Sequence, residues 1–305
     1  MTTAAERTRG TWVAVGTFFL WGLAPLYWRL LESVPALQVV LHRVVWSTVF
    51  VAAWLIWRDG RHWLQQTLRG QPRLWWMLAL SGILISANWG LYIWAINAGH
   101  VVESSLGYFI NPLLNVVIGV LFLSERLRPL QWLSVAIAAA GVVWLTVQYG
   151  QFPWIAIVLA MSFALYGLLR KLAHVDPVAG LGVEGAYLLL PVLGWLVWIE
   201  FSGAGGFAHG FGTTASLLLV FGGIFTAMPL IGFAYAVRRI SLTTVGILQF
   251  IAPTLQLLSG VLVFHEPFDQ TRLIGFACIW LALAVFVIDI LRPHRQRESE
   301  LAELA

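Results

Sequence analysis

Apolar residues fill this chain in blocks of about twenty, separated by short polar breaks. A helix rises 1.5 Å per residue, so ~20 apolar residues cover the ~30 Å hydrocarbon core of a bilayer. Ten blocks meet that length: 11–31, 36–57, 74–96, 102–123, 129–148, 152–170, 179–200, 214–237, 243–264 and 269–291. No stretch reads as a soluble domain. The segment SGAGGFAHGFGTT after Phe201 is glycine-rich and predicts a flexible loop. Arg7 and Arg9 precede the first block as they would in a signal peptide. That block is longer than a signal core and no small-residue cleavage site follows, so it is read as a retained span.

The blocks also repeat. A constant offset of 141 residues pairs Arg29 with Arg170, Trp54 with Trp195, Trp57 with Trp198, Gly82 with Gly223 and Ala95 with Ala236. Between Gly107–Glu125 and Leu248–Glu266, 8 of 19 positions are identical, including Pro112/Pro253, Gly119/Gly260 and Glu125/Glu266. Apolar bias accounts for the Leu and Val pairs but not for proline, glycine and glutamate at one spacing. Five spans per half is an odd number, so the second half must cross the membrane in the opposite sense, as in transporters built from inverted repeats. The expected fold is therefore an all-α membrane protein, ten transmembrane helices in two inverted five-helix repeats around a central cavity. The first repeat covers 1–148, the second 152–292, and a short cytoplasmic tail 293–305.

Composition agrees: 60% of residues are hydrophobic and 10% charged, far below the ~25% charge of a soluble domain. Fifteen of the 18 basic residues fall on one side of the predicted topology; Arg29 and Arg272 lie near the other and Arg43 within a span. The positive-inside rule then puts both termini in the cytoplasm. The net charge of +4 is spread over loops and does not signal nucleic acid. Trp12, Trp28, Trp57, Trp75, Trp132, Trp154 and Trp198 fall near helix ends, where an interfacial belt is expected. A single cysteine, Cys278, excludes an internal disulfide. No metal, nucleotide or nucleophile motif is present, so neither an enzyme, nor a cofactor, nor an ATP-driven pump is expected.

The candidate chemistry sits inside the spans. Arg43 and Glu184 are repeat mates at opposite depths, so a direct ion pair between them is not expected; each should face a shared cavity or a local partner. Snorkelling to an interface is the competing explanation. Glu184 is the candidate to carry a coupled proton, with His42 a weaker one because it points away from Arg43. Tyr108, Asn111 and Asn115 share one face of the fourth span, and Gln249 and Gln256 answer in the ninth. Pro112 and Pro253 free a backbone carbonyl in each of these helices. Asn88 and Tyr92 share a face of the third span, with Trp89 beside them, and Tyr166 takes the place of Pro25 in the second repeat. All ten are candidate substrate-binding residues; interhelical hydrogen bonding is the alternative for the amides, and plain packing for the aromatics. Trp21, Gly22 and Pro25 suggest a kink. Glu125 and Glu266 are expected to hold the turns that follow them.

Five segments carry a family resemblance: WGLAPLYWRLL, LHRVVWS, NWGLYIWAIN, ESSLGYFINPLLNVVIGVLFLSERL and GILQFIAPTLQLLSGVLVFHEP. They resemble the EamA family of the drug/metabolite transporter superfamily over nearly the whole chain. The resemblance implies a bacterial inner-membrane protein with inverted repeats and a central substrate cavity. It also implies export of an amino-acid-like metabolite or a drug, with the bilayer and a small molecule as partners and a proton or other ion as coupling partner. No family-wide catalytic motif carries over. A passive channel and an intramembrane enzyme remain as rival readings.

Overall fold

A computed structural model describes residues 3–98, 100–263, 265 and 269–303. The described residues form helices and connections with no strand. That is what a bilayer requires of non-barrel chains, because every backbone polar group must be satisfied within its own segment. The helices are α1 (Ala4–Arg29), α2 (Ala36–Asp59), α3 (Trp63–Leu68), α4 (Pro72–Asn97), α5 (Val101–Leu123), α6 (Pro129–Tyr149), α7 (Trp154–Leu172), α8 (Pro177–Phe201), α9 (Gly212–Val237), α10 (Leu242–Gln249), α11 (Ile251–Leu262) and α12 (Gln270–Glu303). Ten of the described segments are long and apolar enough to span, with Leu242–Leu262 counted as one. The sequence blocks anticipate each of them.

Three departures have physical causes. The helix α3 is too short to show a periodicity, yet it buries Trp63 and Leu68 among Leu55, Leu74, Leu78 and Val183. Trp63 fits because Gly182 leaves room: a Cβ there would lie 2.9 Å from the indole. The ninth span is broken at Phe250. Pro253 has no N–H to offer the Gln249 carbonyl, and the Phe250 N–H bonds back to Ile247 at 3.2 Å in a tighter turn. Third, α12 continues through the expected tail to Glu303. Proline does not always break a span, since α5 runs unbroken through Pro112 and α1 through Pro25.

The packing partners follow a pattern. The helix α1 packs on α9 and α11, while α7 packs on α4 and α5; α2 packs on α9, and α4 on α8. Exchanging each helix for its counterpart 141 residues away maps these pairs onto one another. The pairs α2 with α8, α5 with α10, and α6 with α12 map onto themselves. The central core draws on both halves, with Phe18, Ile85 and Ile118 against Tyr166, Phe233 and Leu248. Large apolar residues such as Leu121, Leu190 and Phe201 are exposed around the bundle, as a lipid-facing surface requires. Trp12, Trp57, Trp75, Trp132, Trp154 and Trp198 are exposed too.

Candidate functional site

A cavity of about 200 Å³ lies among α1, α2, α4, α5, α7, α9, α10 and α11. Its walls come from the end of α1 (Trp21, Pro25, Trp28), the start of α2 (Arg43) and the end of α4 (Asn88, Trp89, Tyr92). The start of α5 adds Tyr108 and Asn111, and α10–α11 add Gln249, Pro253 and Gln256. Successive spans alternate in direction, so these ends share the face opposite the N-terminus. The cavity therefore occupies that half of the bundle. Tyr108 presents 40% of its surface beside this space.

Arg43 is the charged residue of the lining. It sits seven residues into α2, ~10 Å along the helix. Its Nε donates to Thr226 Oγ1 at 3.0 Å. The guanidinium carbon lies 4.4 Å from the Trp28 ring centre and 5.3 Å from that of Trp89. Cation–π contact of this kind holds a cation without neutralising it. Among the described residues no carboxylate pairs with Arg43.

Amide side chains build the floor. Asn88 Nδ2 donates to the Leu159 carbonyl at 2.8 Å and to Ser162 Oγ at 2.9 Å, and Asn111 Nδ2 to the Ala160 carbonyl at 3.3 Å. Asn115 Nδ2 donates to Gln249 Oε1 at 2.8 Å and Asn111 Oδ1 at 3.1 Å, which ties α5 to α10. Gln256 Nε2 donates to the Trp21 carbonyl at 3.3 Å. That carbonyl is the one Pro25 leaves without its helical donor. Pro112 and Pro253 free the carbonyls of Tyr108 and Gln249 in the same way, and both residues line the cavity.

Below the floor, toward the face that carries the N-terminus, lies an ionic layer. Glu184 Oε1 accepts from Ser81 Oγ at 2.5 Å and from Arg170 Nη1 at 3.2 Å. Arg170 Nη2 donates to the Pro177 carbonyl at 2.9 Å. Arg170 and Glu184 are 2% and 1% exposed. The guanidinium passes α8 at Gly180, where a Cβ would lie 2.9 Å from its Cζ. Glu184 Oε2, Tyr166 Oη and Arg170 Nε have no hydrogen-bond partner among the described residues. A cavity of about 20 Å³, room for one water, touches Tyr166, Glu184, Ser47 and Thr48. Trp89 and Leu230 line both cavities and partition them.

A second latch lies closer to that face. Glu125 accepts from the Leu242 and Thr243 N–H groups at 2.7 and 3.0 Å, capping α10. Lys171 Nζ lies 3.7 Å from Glu125 and donates to the Val237 and Ile240 carbonyls at 2.9 and 2.7 Å. Gly119 makes the room, because a Cβ there would lie 2.6 Å from Glu125 Oε2.

Residues 8–147, the first five spans, match the EamA-like transporter family. An uncharacterised transporter of Pseudomonas aeruginosa is 46% identical over 96% of this chain and 97% of its own. The protein RarD of Escherichia coli K12 is 41% identical over 96% of this chain and 98% of its own. The chain belongs to the EamA family. A "chloramphenicol-sensitive protein RarD" of Pseudomonas aeruginosa is 36% identical to this EamA protein over 95% of the chain and 97% of its own. A solved crystal structure superposes with a TM-score of 0.69 over 91% of this chain and 96% of that one; at 21% identity it supports the fold alone. This EamA chain is thus a multi-pass bacterial membrane transporter.

The EamA structure sorts the residues singled out in the sequence. Arg43, Asn88, Tyr92, Tyr108, Asn111, Gln249 and Gln256 meet at one cavity. Asn115 is fully buried one turn below it. Glu184 and Tyr166 line the smaller cavity instead. His42 is buried against Phe207, its rings 4.7 Å apart, and accepts from Trp46 at 3.3 Å, away from Arg43. Arg43 and Glu184 have separate local partners, and neither depends on snorkelling.

Several sequence expectations need correction. Trp28 is not a belt residue but a cover for Arg43. Arg170, counted among the loop cations, is buried against Glu184. Glu125 does not only close its own turn; it caps a helix 117 residues away. Its mate Glu266 lies outside the described residues. Glu103 is a buried acid that sequence reading passed over because it stands at the end of a span; it accepts from the Ile155 N–H at 2.8 Å and from Tyr149 at 3.0 Å. Thr226 left no signal, since an isolated threonine in a membrane helix is unremarkable.

Proposed function

We propose that this EamA protein is a secondary transporter that moves a small organic molecule by alternating access. The observation that carries the reading is a blind cavity: it lies in one half of the bundle and is separated from the latched face by an amide floor, the buried Arg170–Glu184 pair and the half-buried Lys171–Glu125 pair. A passive channel needs a continuous path, which this arrangement interrupts. The exchange of packing partners under the 141-residue offset supports an inverted repeat. Such a frame reaches the opposite state by giving each half the other's arrangement. The clustering of basic residues supports a cytoplasmic position for the latched face. Family membership supports export across the bacterial inner membrane.

Glu184 links the latch to a driving ion. Its Oε2 has no hydrogen-bond partner among the described residues, and Glu184 borders the 20 Å³ cavity. A proton arriving there would remove the charge that holds Arg170, so proton uptake and release of the latch would be one event. In proteoliposomes preloaded with a substrate, an alternating-access carrier gives saturable counterflow that is accelerated by substrate on the far side. Linear, unaccelerated flux would favour the channel. Chloramphenicol, the drug in the name of one relative, is a natural first probe. Glu184→Gln should retain counterflow but lose response to an imposed pH gradient; an unchanged response removes the proton from the mechanism.

A further inference from the structure

We propose that the cavity takes an organic monoanion, a carboxylate on a flat apolar body, with the carboxylate seated on Arg43. The inference rests on the transporter reading for its purpose, but what the site binds can be tested without transport.

Three observations converge. First, Arg43 lines the cavity as its charged residue, and its only hydrogen bond to a described residue runs from Nε to Thr226. The two Nη groups are the fork that grips a carboxylate, and nothing described in the protein occupies them. The indoles of Trp28 and Trp89, 4.4 and 5.3 Å away, hold the guanidinium in place. Glu103, a buried acid of the same half, is committed to Ile155 and Tyr149.

Second, the repeat shows what is missing. On the latched side a guanidinium and a carboxylate, Arg170 and Glu184, meet at 3.2 Å. Their counterparts 141 residues earlier are Arg29, which is exposed and outside the cavity lining, and Arg43, which lines it. The frame that houses an internal carboxylate on one side therefore has an arginine in its place on the other. A ligand carboxylate would give Arg43 what Glu184 gives Arg170. Its arrival offsets the cost of holding a partly buried cation without an anion.

Third, the remaining walls are aromatic and the size is right. Trp21, Tyr92 and Phe163 face the same space. An apolar cavity of ~150 Å³ holds benzene, so about 200 Å³ holds one ring with a short acidic arm. No acid among the described lining would pair with an ammonium, so amines and zwitterions gain less than anions.

The test is titration of the purified full-length protein, read by tryptophan fluorescence and calorimetry. The probes are phenylacetate, phenylacetamide, phenethylammonium and phenylalanine. Phenylacetate is expected to bind at least about tenfold more tightly than its neutral amide, the range of a charge-assisted hydrogen bond. Arg43→Gln should erase that difference, and Arg43→Lys should keep part of it. A thermal melt of each variant separates loss of binding from loss of fold, and the wild-type ranking needs no variant. Equal binding of anion and amide, tighter binding of phenylalanine or phenethylammonium, or no phenylacetate binding at millimolar concentration would overturn the assignment. Counterflow of phenylacetate in proteoliposomes separates the two readings. Binding without counterflow ends the transporter reading and leaves the anion site standing. Counterflow of phenylalanine that ignores Arg43→Gln does the reverse.

Discussion

The two halves of the membrane thickness use charge in opposite ways. On the side that carries the N-terminus, cations are consumed: Arg170 by Glu184 and a carbonyl, Lys171 by Glu125 and two carbonyls, Arg238 by the Val175 carbonyl. On the far side Arg43 is held by two indoles and one hydroxyl, with no anion among the described residues. Each side draws on helices from the beginning and from the end of the chain, so the contrast is not one between two separate bundles. On one side buried cations meet carboxylates and carbonyls of the protein; on the other Arg43 lies at a cavity wall.

The contrast breaks most severely at Arg170. Arg170→Met should leave Glu184 buried without its cation and cost about 3–5 kcal/mol, the usual result of removing one partner of a buried pair. Thermal unfolding in detergent measures it. The double variant Arg170→Met with Glu184→Leu should recover most of that stability while counterflow stays impaired. A single variant as stable as the parent would show that the pair is not the latch. Next comes Glu125→Ala, which strips the acceptor from two N–H groups of α10 and the counter-charge from Lys171. A loss of about 1–3 kcal/mol is expected from the same measurement. The smallest effect sharpens the description of the cavity half. Gln256→Leu removes the donor from the carbonyl freed by Pro25, at a cost of about 0.5–1.5 kcal/mol. Replacing the exposed Trp198 with Phe should shift stability by no more than ~0.5 kcal/mol. A Gln256 loss no larger than this would demote that contact.

Much of this architecture is legible in the primary structure because lipid imposes a length and a polarity on every span. The blocks recover ten spans, and the prolines and amides of the fourth and ninth point at the cavity. Arg43 is legible because a charge within an apolar block has few explanations. What escapes the eye depends on partners far away in sequence. Arg170 stands beside Lys171 at a helix end and looks like a solvated loop cation; only the approach of α8 at Gly180 buries it. Trp28 looks like a belt residue until α2 brings Arg43 beneath its ring. Glu125 looks like a turn residue until α10 starts against its carboxylate. In each case residue type fixes the options and the partner chooses among them.

By itself, the sequence determined that this chain lives in a membrane and folds into ten helices long and apolar enough to span it. Backbone hydrogen bonding in lipid admits no other use of such blocks. Tertiary structure alone decided that Arg170 meets a carboxylate and that Arg43 meets two indoles and a hydroxyl. Pairing of buried charges turns on separations of a few ångströms between helices, and those distances are set by packing rather than by order along the chain.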